Sequence, residues 1–129
     1  MSHLNIEKFR NHLKTSLPGI TAQMEMMPKV PGSDRFDLSK RGNSTPGGVL
    51  ILIYPHKEEL YIVLMLRPEY GGAHSGQVSF PGGKAEQEDL DLIQTALRES
   101  NEELGIPGDQ VKVLGTLTEL FIIASNFTV

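Results

Sequence analysis

The chain has no cysteine, which removes disulfide frameworks, thiol nucleophiles and cysteine-ligated zinc from consideration. It also has no long hydrophobic run. The longest, Val49–Tyr54 and Leu60–Leu66, are far too short to cross a bilayer, and no apolar signal stretch opens the chain. A cytoplasmic protein without a membrane partner is therefore the expectation. A basic excess is missing too. Net charge is −4, and residues 1–41 carry a balance of only +3 without interleaved aromatics, which argues against a nucleic-acid partner. Internal repeats and low-complexity tracts are absent.

What is present fits one folded unit: 129 residues, 39% hydrophobic and 22% charged, with 13 glycines and 8 prolines that imply many turns. Residues 3–17 read as an amphipathic helix with Leu4, Ile6, Phe9, Leu13 and Leu17 on one face and Pro18-Gly19 as its stop. Residues 21–48 read as an irregular lead-in, in which Met24, Met26 and Met27 are expected to fill core gaps. Val49–Tyr54 is expected to be a strand buried on both faces. It would pair as a hairpin with Leu60–Leu66 across the connector Pro55–Glu59. Pro81-Gly82-Gly83 reads as a sharp turn, Asp89–Leu104 as a helix ended by Gly105, and Val111–Leu117 and Leu120–Ala124 as strands. The domain expectation is a helix and lead-in over 1–47 and a folded unit over 48–129. Its fold class would be α/β (α+β), a mixed sheet covered by helices.

Charge is distributed unevenly. Glu86, Glu88, Asp89, Asp91, Glu99, Glu102 and Glu103 crowd one stretch that holds a single base, Arg98. On a wheel turning about 100° per residue from Ile93, the residues Leu90, Ala96, Leu97, Ser100 and Leu104 form the expected buried stripe. Glu102, Glu99 and Glu103 fall on the other side, near about 180°, 240° and 280°. Such a block is either a solvated acidic face or a site that gathers oxygen donors for a divalent cation. Three features favour the cation. Glu99 and Glu103 stand at i and i+4, one turn apart, where like charges repel unless something is held between them. One arginine alone answers the acids, and a Gly-Gly turn that lets backbone approach a ligand precedes the helix. Together these point to phosphate chemistry at a metal site.

The stretch Gly83 to Ile106 resembles the Nudix box, Gx5Ex7REUxEExGU with U apolar. Arg98, Glu99, Glu102, Glu103, Gly105 and Ile106 match its second half. Ser100 stands where an apolar residue is usual, and the spacing from Gly83 to Arg98 is one residue longer than the general pattern. The coenzyme A pyrophosphatase branch shares that longer spacing and has an aspartate where Asp89 stands. Leu64–Arg67, His74-Ser-Gly76-Gln77-Val-Ser-Phe80-Pro81-Gly82-Gly83 and Ser125-Asn126-Phe127 look like further signatures of that branch. One departure is the lack of its second arginine, with Gly71-Gly72-Ala73 in that region.

The resemblance implies an α/β/α sandwich that hydrolyses a nucleoside diphosphate linkage with Mg²⁺ or Mn²⁺. Coenzyme A would yield 3′,5′-ADP and 4′-phosphopantetheine. Other Nudix substrates, such as ADP-ribose, NADH or dinucleotide polyphosphates, and a non-catalytic binding module stay open beside it. By family pattern Glu99, Glu103 and Glu102 are the metal ligands, with the Gly82 carbonyl completing the shell. Arg98 organises a motif carboxylate, and Glu99, Arg98 and Glu102 form the catalytic group. Glu99 is the candidate base inside the motif and Glu119 the one beyond it. Arg67, His74, Gln77 and Lys84 are the candidate substrate contacts. In the coenzyme A branch Ser-Asn-Phe is normally followed by a further strand segment and a covering helix. The expectation is thus a sheet lacking its C-terminal helical layer, which self-associates through Ile122, Ile123, Phe127 and Val129.

Overall fold

In the computed structural model, residues 6–27, 42–69, 71 and 76–129 are described. Leu4 and His74, both singled out above, lie outside them. Helix α1 spans Ile6–Leu13 and α2 spans Gly19–Met26. The second helix replaces part of the expected irregular lead-in. Pro18, at φ −64°, presets its first turn, and Ala22, Gln23, Met24, Glu25 and Met26 are all good or adequate helix formers. Met26 is 85% exposed and Met24 is exposed as well, so these two side chains are not core filler.

Four strands form the main sheet: β1 (Thr45–Val49), β6 (Gly82–Lys84), β7 (Phe121–Ile122) and β8 (Phe127–Thr128), in the order β6-β1-β8-β7. The sheet is mixed. β1 runs parallel to β8 through Thr45↔Phe127 and antiparallel to β6 through Gly48↔Gly83, while β7 and β8 are antiparallel. Pro81-Gly82-Gly83 is therefore no tight turn. Gly82 and Gly83 are strand residues, with Gly82 at φ +147°, which only glycine adopts readily. Asn126 closes the β7–β8 turn at φ +56°, and its carbonyl accepts the Thr45 N–H at 2.8 Å, tying that turn to the start of β1. The expected domain boundary between residues 47 and 48 falls inside β1.

Val49–Tyr54 is not one buried strand. The regular ladder stops at Val49 and resumes at Ile53, and Val49, Ile51 and Tyr54 are all exposed by about two-fifths. β2 (Ile53–His56) and β3 (Glu59–Ile62) form a hairpin with Tyr54 opposite Tyr61. Its loop is only Lys57-Glu58, both at positive φ, the twist a two-residue hairpin demands. Pro55 and His56 thus belong to the strand and not to a connector. β4 (Met65–Leu66) and β5 (Val78–Ser79) form a second short ribbon.

Val111–Leu117 pairs in no ladder and is not a strand; it and the residues after it lie against the N-terminal helices. A Cβ on Gly115 would lie 3.0 Å from the Leu13 Cβ of α1, and Gln23 of α2 donates through Nε2 to the Thr118 carbonyl at 3.0 Å.

α3 (Leu92–Leu104) crosses β1 and β6, and the face it buries shares Ala96 and Ser100 with the apolar stripe on the wheel but is rotated toward Thr95. Thr95, Ala96 and Ser100 are buried, whereas Leu90 lies outside the helix at 85% exposure. Gly48 explains the rotation. A Cβ on Gly48 would come within 2.5 Å of the Leu92 carbonyl oxygen and 2.6 Å of the Ala96 nitrogen, so only a glycine strand admits the helix this closely. The side of α3 that carries Glu99 and Glu103 consequently lies against β6. Ser100, in its unusual position, satisfies its hydroxyl on the Ala96 carbonyl at 2.7 Å.

Candidate active site

Asp91 caps α3, accepting the Gln94 N–H at 2.8 Å, and Gly105 ends the helix at φ +69°. Just ahead of the cap, the Asp89 carboxylate accepts four hydrogen bonds. Its Oδ1 accepts Arg98 Nε at 3.0 Å. Its Oδ2 accepts Arg98 Nη2 at 2.9 Å, the Thr95 hydroxyl at 2.9 Å and the Glu86 N–H at 3.0 Å. This bidentate pair leaves the Asp89 side chain only 7% exposed. The Arg98 bonds first, and the Glu86 amide second, hold the Asp89 carboxyl well below the usual carboxylate range against the opposing effect of burial. The same pairing pushes the Arg98 guanidinium above its ordinary value. Both shifts favour the charged forms of the pair.

Arg98 spends its remaining donors locally. Nη2 reaches the Lys84 carbonyl at 2.9 Å, and Nη1 reaches Glu99 Oε1 at 3.1 Å and Glu102 Oε1 at 3.3 Å. One guanidinium thus joins the loop before α3, the end of β6 and the acidic face of the helix.

Glu99 and Glu103 lie along the glycine backbone of β6. A Cβ on Gly83 would collide with the Glu99 carboxylate, and Glu103 Oε2 accepts the Gly82 N–H at 2.9 Å. Gly82 thus meets Glu103 through its amide. The Glu99 side chain is 17% exposed against 57% for Glu102, which places Glu99 at the strand surface and Glu102 toward solvent. Among the described residues, no three Asp, Glu or His side chains gather closely enough to enclose a metal ion. A hard cation such as Mg²⁺ needs only one or two carboxylates when substrate phosphates and waters supply the rest. The oxygen donors of Glu99 and Glu103 suit that demand.

The other candidates are spread over neighbouring elements. Arg67 donates through Nε to the Ser79 hydroxyl at 3.1 Å, and its amide bonds the Gln77 carbonyl at 3.0 Å, so Arg67 and Gln77 share the β4–β5 ribbon. Lys84 ends β6 with an exposed side chain. Glu119 lies on the segment that seats α2, where its carbonyl accepts Gln23 Nε2 at 3.3 Å.

Two residues were not among the candidates. Asp89 stood in the branch's aspartate position, nine residues before the arginine it binds, so a signal for it existed. Thr95 falls off the apolar stripe, and its only sequence mark is a hydroxyl one turn ahead of Glu99.

Residues 44–129 match the NUDIX domain. The chain belongs to the Nudix family. Over 114 residues, 88% of the chain, it is 38% identical to an uncharacterized Nudix hydrolase, NudL, of Yersinia enterocolitica, covering 55% of that protein. Over 64 residues, 50% of the chain, it is 48% identical to NudL of Yersinia pestis, covering 32% of that protein. The chain thus spans about half or less of the length of these curated relatives. In three dimensions it resembles a MutT/nudix family protein from Enterococcus faecalis at a TM-score of 0.53 and 16% identity, over 99% of this chain and 47% of the other. That likeness supports the Nudix fold with its mixed sheet and helices. Among the described residues no helix is long and apolar enough to cross a membrane.

Proposed function

We propose that the chain carries the catalytic surface of a divalent-metal-dependent pyrophosphohydrolase acting on a nucleoside diphosphate linkage, with coenzyme A as substrate. The observation that carries this reading is the placement of Glu99 and Glu103 one helical turn apart on the backbone of β6, beside an Arg98 locked by Asp89. Mg²⁺ or Mn²⁺ held there supplies charge neutralisation at the phosphates and a more acidic water. The chain's own residues prepare for it. Arg98 orients the Glu99 carboxylate, the Gly82 amide orients Glu103, and Glu99 is positioned to take a proton from an attacking water. Glu102 adds negative charge at the solvent side, and Arg67, His74, Gln77 and Lys84 are the groups proposed to meet substrate.

The longer spacing that brings Asp89 to Arg98, together with the HxGQVxFPGG run, favours coenzyme A over other nucleotide substrates. A panel of coenzyme A, ADP-ribose, NADH and dinucleoside polyphosphates, each with and without Mg²⁺ or Mn²⁺, tests the reading. Cleavage of coenzyme A to 3′,5′-ADP and 4′-phosphopantetheine is expected to be fastest. Glu99→Gln should lower it about a hundredfold or more, the scale of losing one transition-state electrostatic partner. Equal or faster turnover of another substrate moves the assignment to that substrate. Nucleotide binding without turnover of any of them makes the chain a binding module.

Self-association belongs to the same reading. β7 is an outer strand and Ile123 beside it is exposed, while Ile122, Phe127 and Val129 are half-buried. Light scattering that shows a monodisperse monomer removes that part.

A further inference from the structure

We propose that Thr95 is a positioning residue of this site: its buried hydroxyl holds the Asp89 carboxylate in the plane that fixes the Arg98 guanidinium and, through it, Glu99. Thr95 has no solvent exposure, and its side chain is wedged between the glycine strand and the loop ahead of α3. A Cβ on Gly48 would lie 2.9 Å from the Thr95 Cβ, so the strand sets how far the threonine stands from Asp89. A threonine inside a helix ordinarily returns its hydroxyl to the carbonyl four residues back. Here that contact, to Asp91, is 3.3 Å, and the shorter bond of 2.9 Å goes to Asp89 Oδ2.

The geometry explains why this bond matters. Asp89 Oδ2 takes three donors while Oδ1 takes Arg98 Nε. The two oxygens must stay coplanar with the guanidinium for the bidentate pair to hold. The Glu86 amide and the Thr95 hydroxyl are the two bonds to Oδ2 that do not come from Arg98 itself, so they set the carboxylate's rotation. Of these, the Glu86 amide belongs to the loop and the hydroxyl to the helix that carries Arg98 and Glu99. Thr95 thereby ties loop and helix together at the point where the arginine's orientation is decided.

The catalytic consequence rests on the pyrophosphohydrolase reading, so the test has one arm that needs no turnover. In the ¹⁵N-labelled chain the exchange of the Arg98 Nε–H with solvent reports its bond to Asp89. Thr95→Val keeps the shape and removes the hydroxyl. It is expected to speed that exchange about tenfold and to lower kcat on coenzyme A about tenfold, within the hundredfold that an ångström of misplacement can bring. KM should stay within about twofold, because substrate contacts are elsewhere. Thr95→Ser restores the hydroxyl and is expected to return both readings to near wild type. Should valine crowd Gly48 and spoil the amide spectrum, Thr95→Ala repeats the test without the added methyl. Unchanged exchange in a folded hydroxyl-free variant overturns the proposal. Equal losses in serine and valine overturn it as well, since the loss would then not follow the hydroxyl. Faster exchange with no turnover of any nucleotide by the wild-type chain supports the positioning role and removes the proposed function instead.

Discussion

The α3–β1–β6 unit and the β2–β3 hairpin divide the molecule into two kinds of construction. In the first, the helix rests on glycine strand backbone: Gly48 lies under Leu92, Thr95 and Ala96, Gly83 lies under the Glu99 carboxylate, and the buried side chains are Thr95, Ala96, Ser100 and Pro81. In the second, every residue of β3 is exposed although Leu60, Tyr61 and Ile62 are good strand formers. Apolar residues are thus plentiful where little is buried and scarce where the chain is most enclosed. The difference shows what holds the acidic face in place. Close backbone approach and a charge-assisted network do it, with little help from a large apolar core.

The sharpest break of this contrast is Gly48→Ala. The new Cβ would meet the Leu92 carbonyl oxygen, the Ala96 nitrogen and the Thr95 side chain at 2.5 to 2.9 Å, and two of those three are backbone atoms that cannot swing aside. Overpacking of this kind costs about 3 kcal/mol, the upper part of its usual range. In urea unfolding the midpoint should fall sharply, and turnover should fall further than stability alone dictates as α3 lifts Glu99 from β6. A loss of only a few tenths of a kcal/mol would mean that helix and strand are not locked as described.

A smaller effect, with a pH signature, is expected from Asp89→Asn. The folded pKa of Asp89 lies below its unfolded value, so its contribution to stability is complete above about 3.9 and is lost as pH falls toward the folded pKa. The stability gap between wild type and Asp89→Asn should therefore be constant from neutral pH down to that point and narrow below it. A gap that instead narrows between neutral pH and about 5 would point to a different titrating group as Arg98's partner.

The sequence already displayed the acids and their arginine, because helical spacing alone puts Glu99 and Glu103 one turn apart and Arg98 beside them. Which way that face points was not legible. Periodicity placed Leu90 in the core and Thr95 outside it. Gly48 brings Thr95 inside and Gly83 admits Glu99, and a glycine's role depends on what sits above it, which no local pattern records. The same limit explains Val49–Tyr54. A β-branched apolar run reports strand propensity, but its burial depends on covering elements supplied from elsewhere in the chain. α2 was missed for the opposite reason: its residues form helix well, yet flanking prolines and a weak apolar stripe hid it.

The smallest effect is expected from the hairpin. Tyr61 faces Tyr54 with ring centroids 5.7 Å apart, stands edge-on to His56 at 5.6 Å, and donates its hydroxyl to Glu59 at 3.2 Å. Tyr61→Thr keeps a strand-forming residue and removes all three contacts. Aromatic pairs add about 0.5–1.5 kcal/mol, and exposure of both rings puts this one near the lower end. Thermal unfolding should shift slightly, while Arg98 Nε–H exchange and turnover stay at wild-type values, because no bond of the Asp89–Arg98 network passes through β2 or β3. A loss of turnover comparable to that of Gly48→Ala would require the hairpin to share the site's support. The exposed ribbon would then be part of the catalytic surface, and the contrast between a backbone-packed site and a separate hairpin would fail.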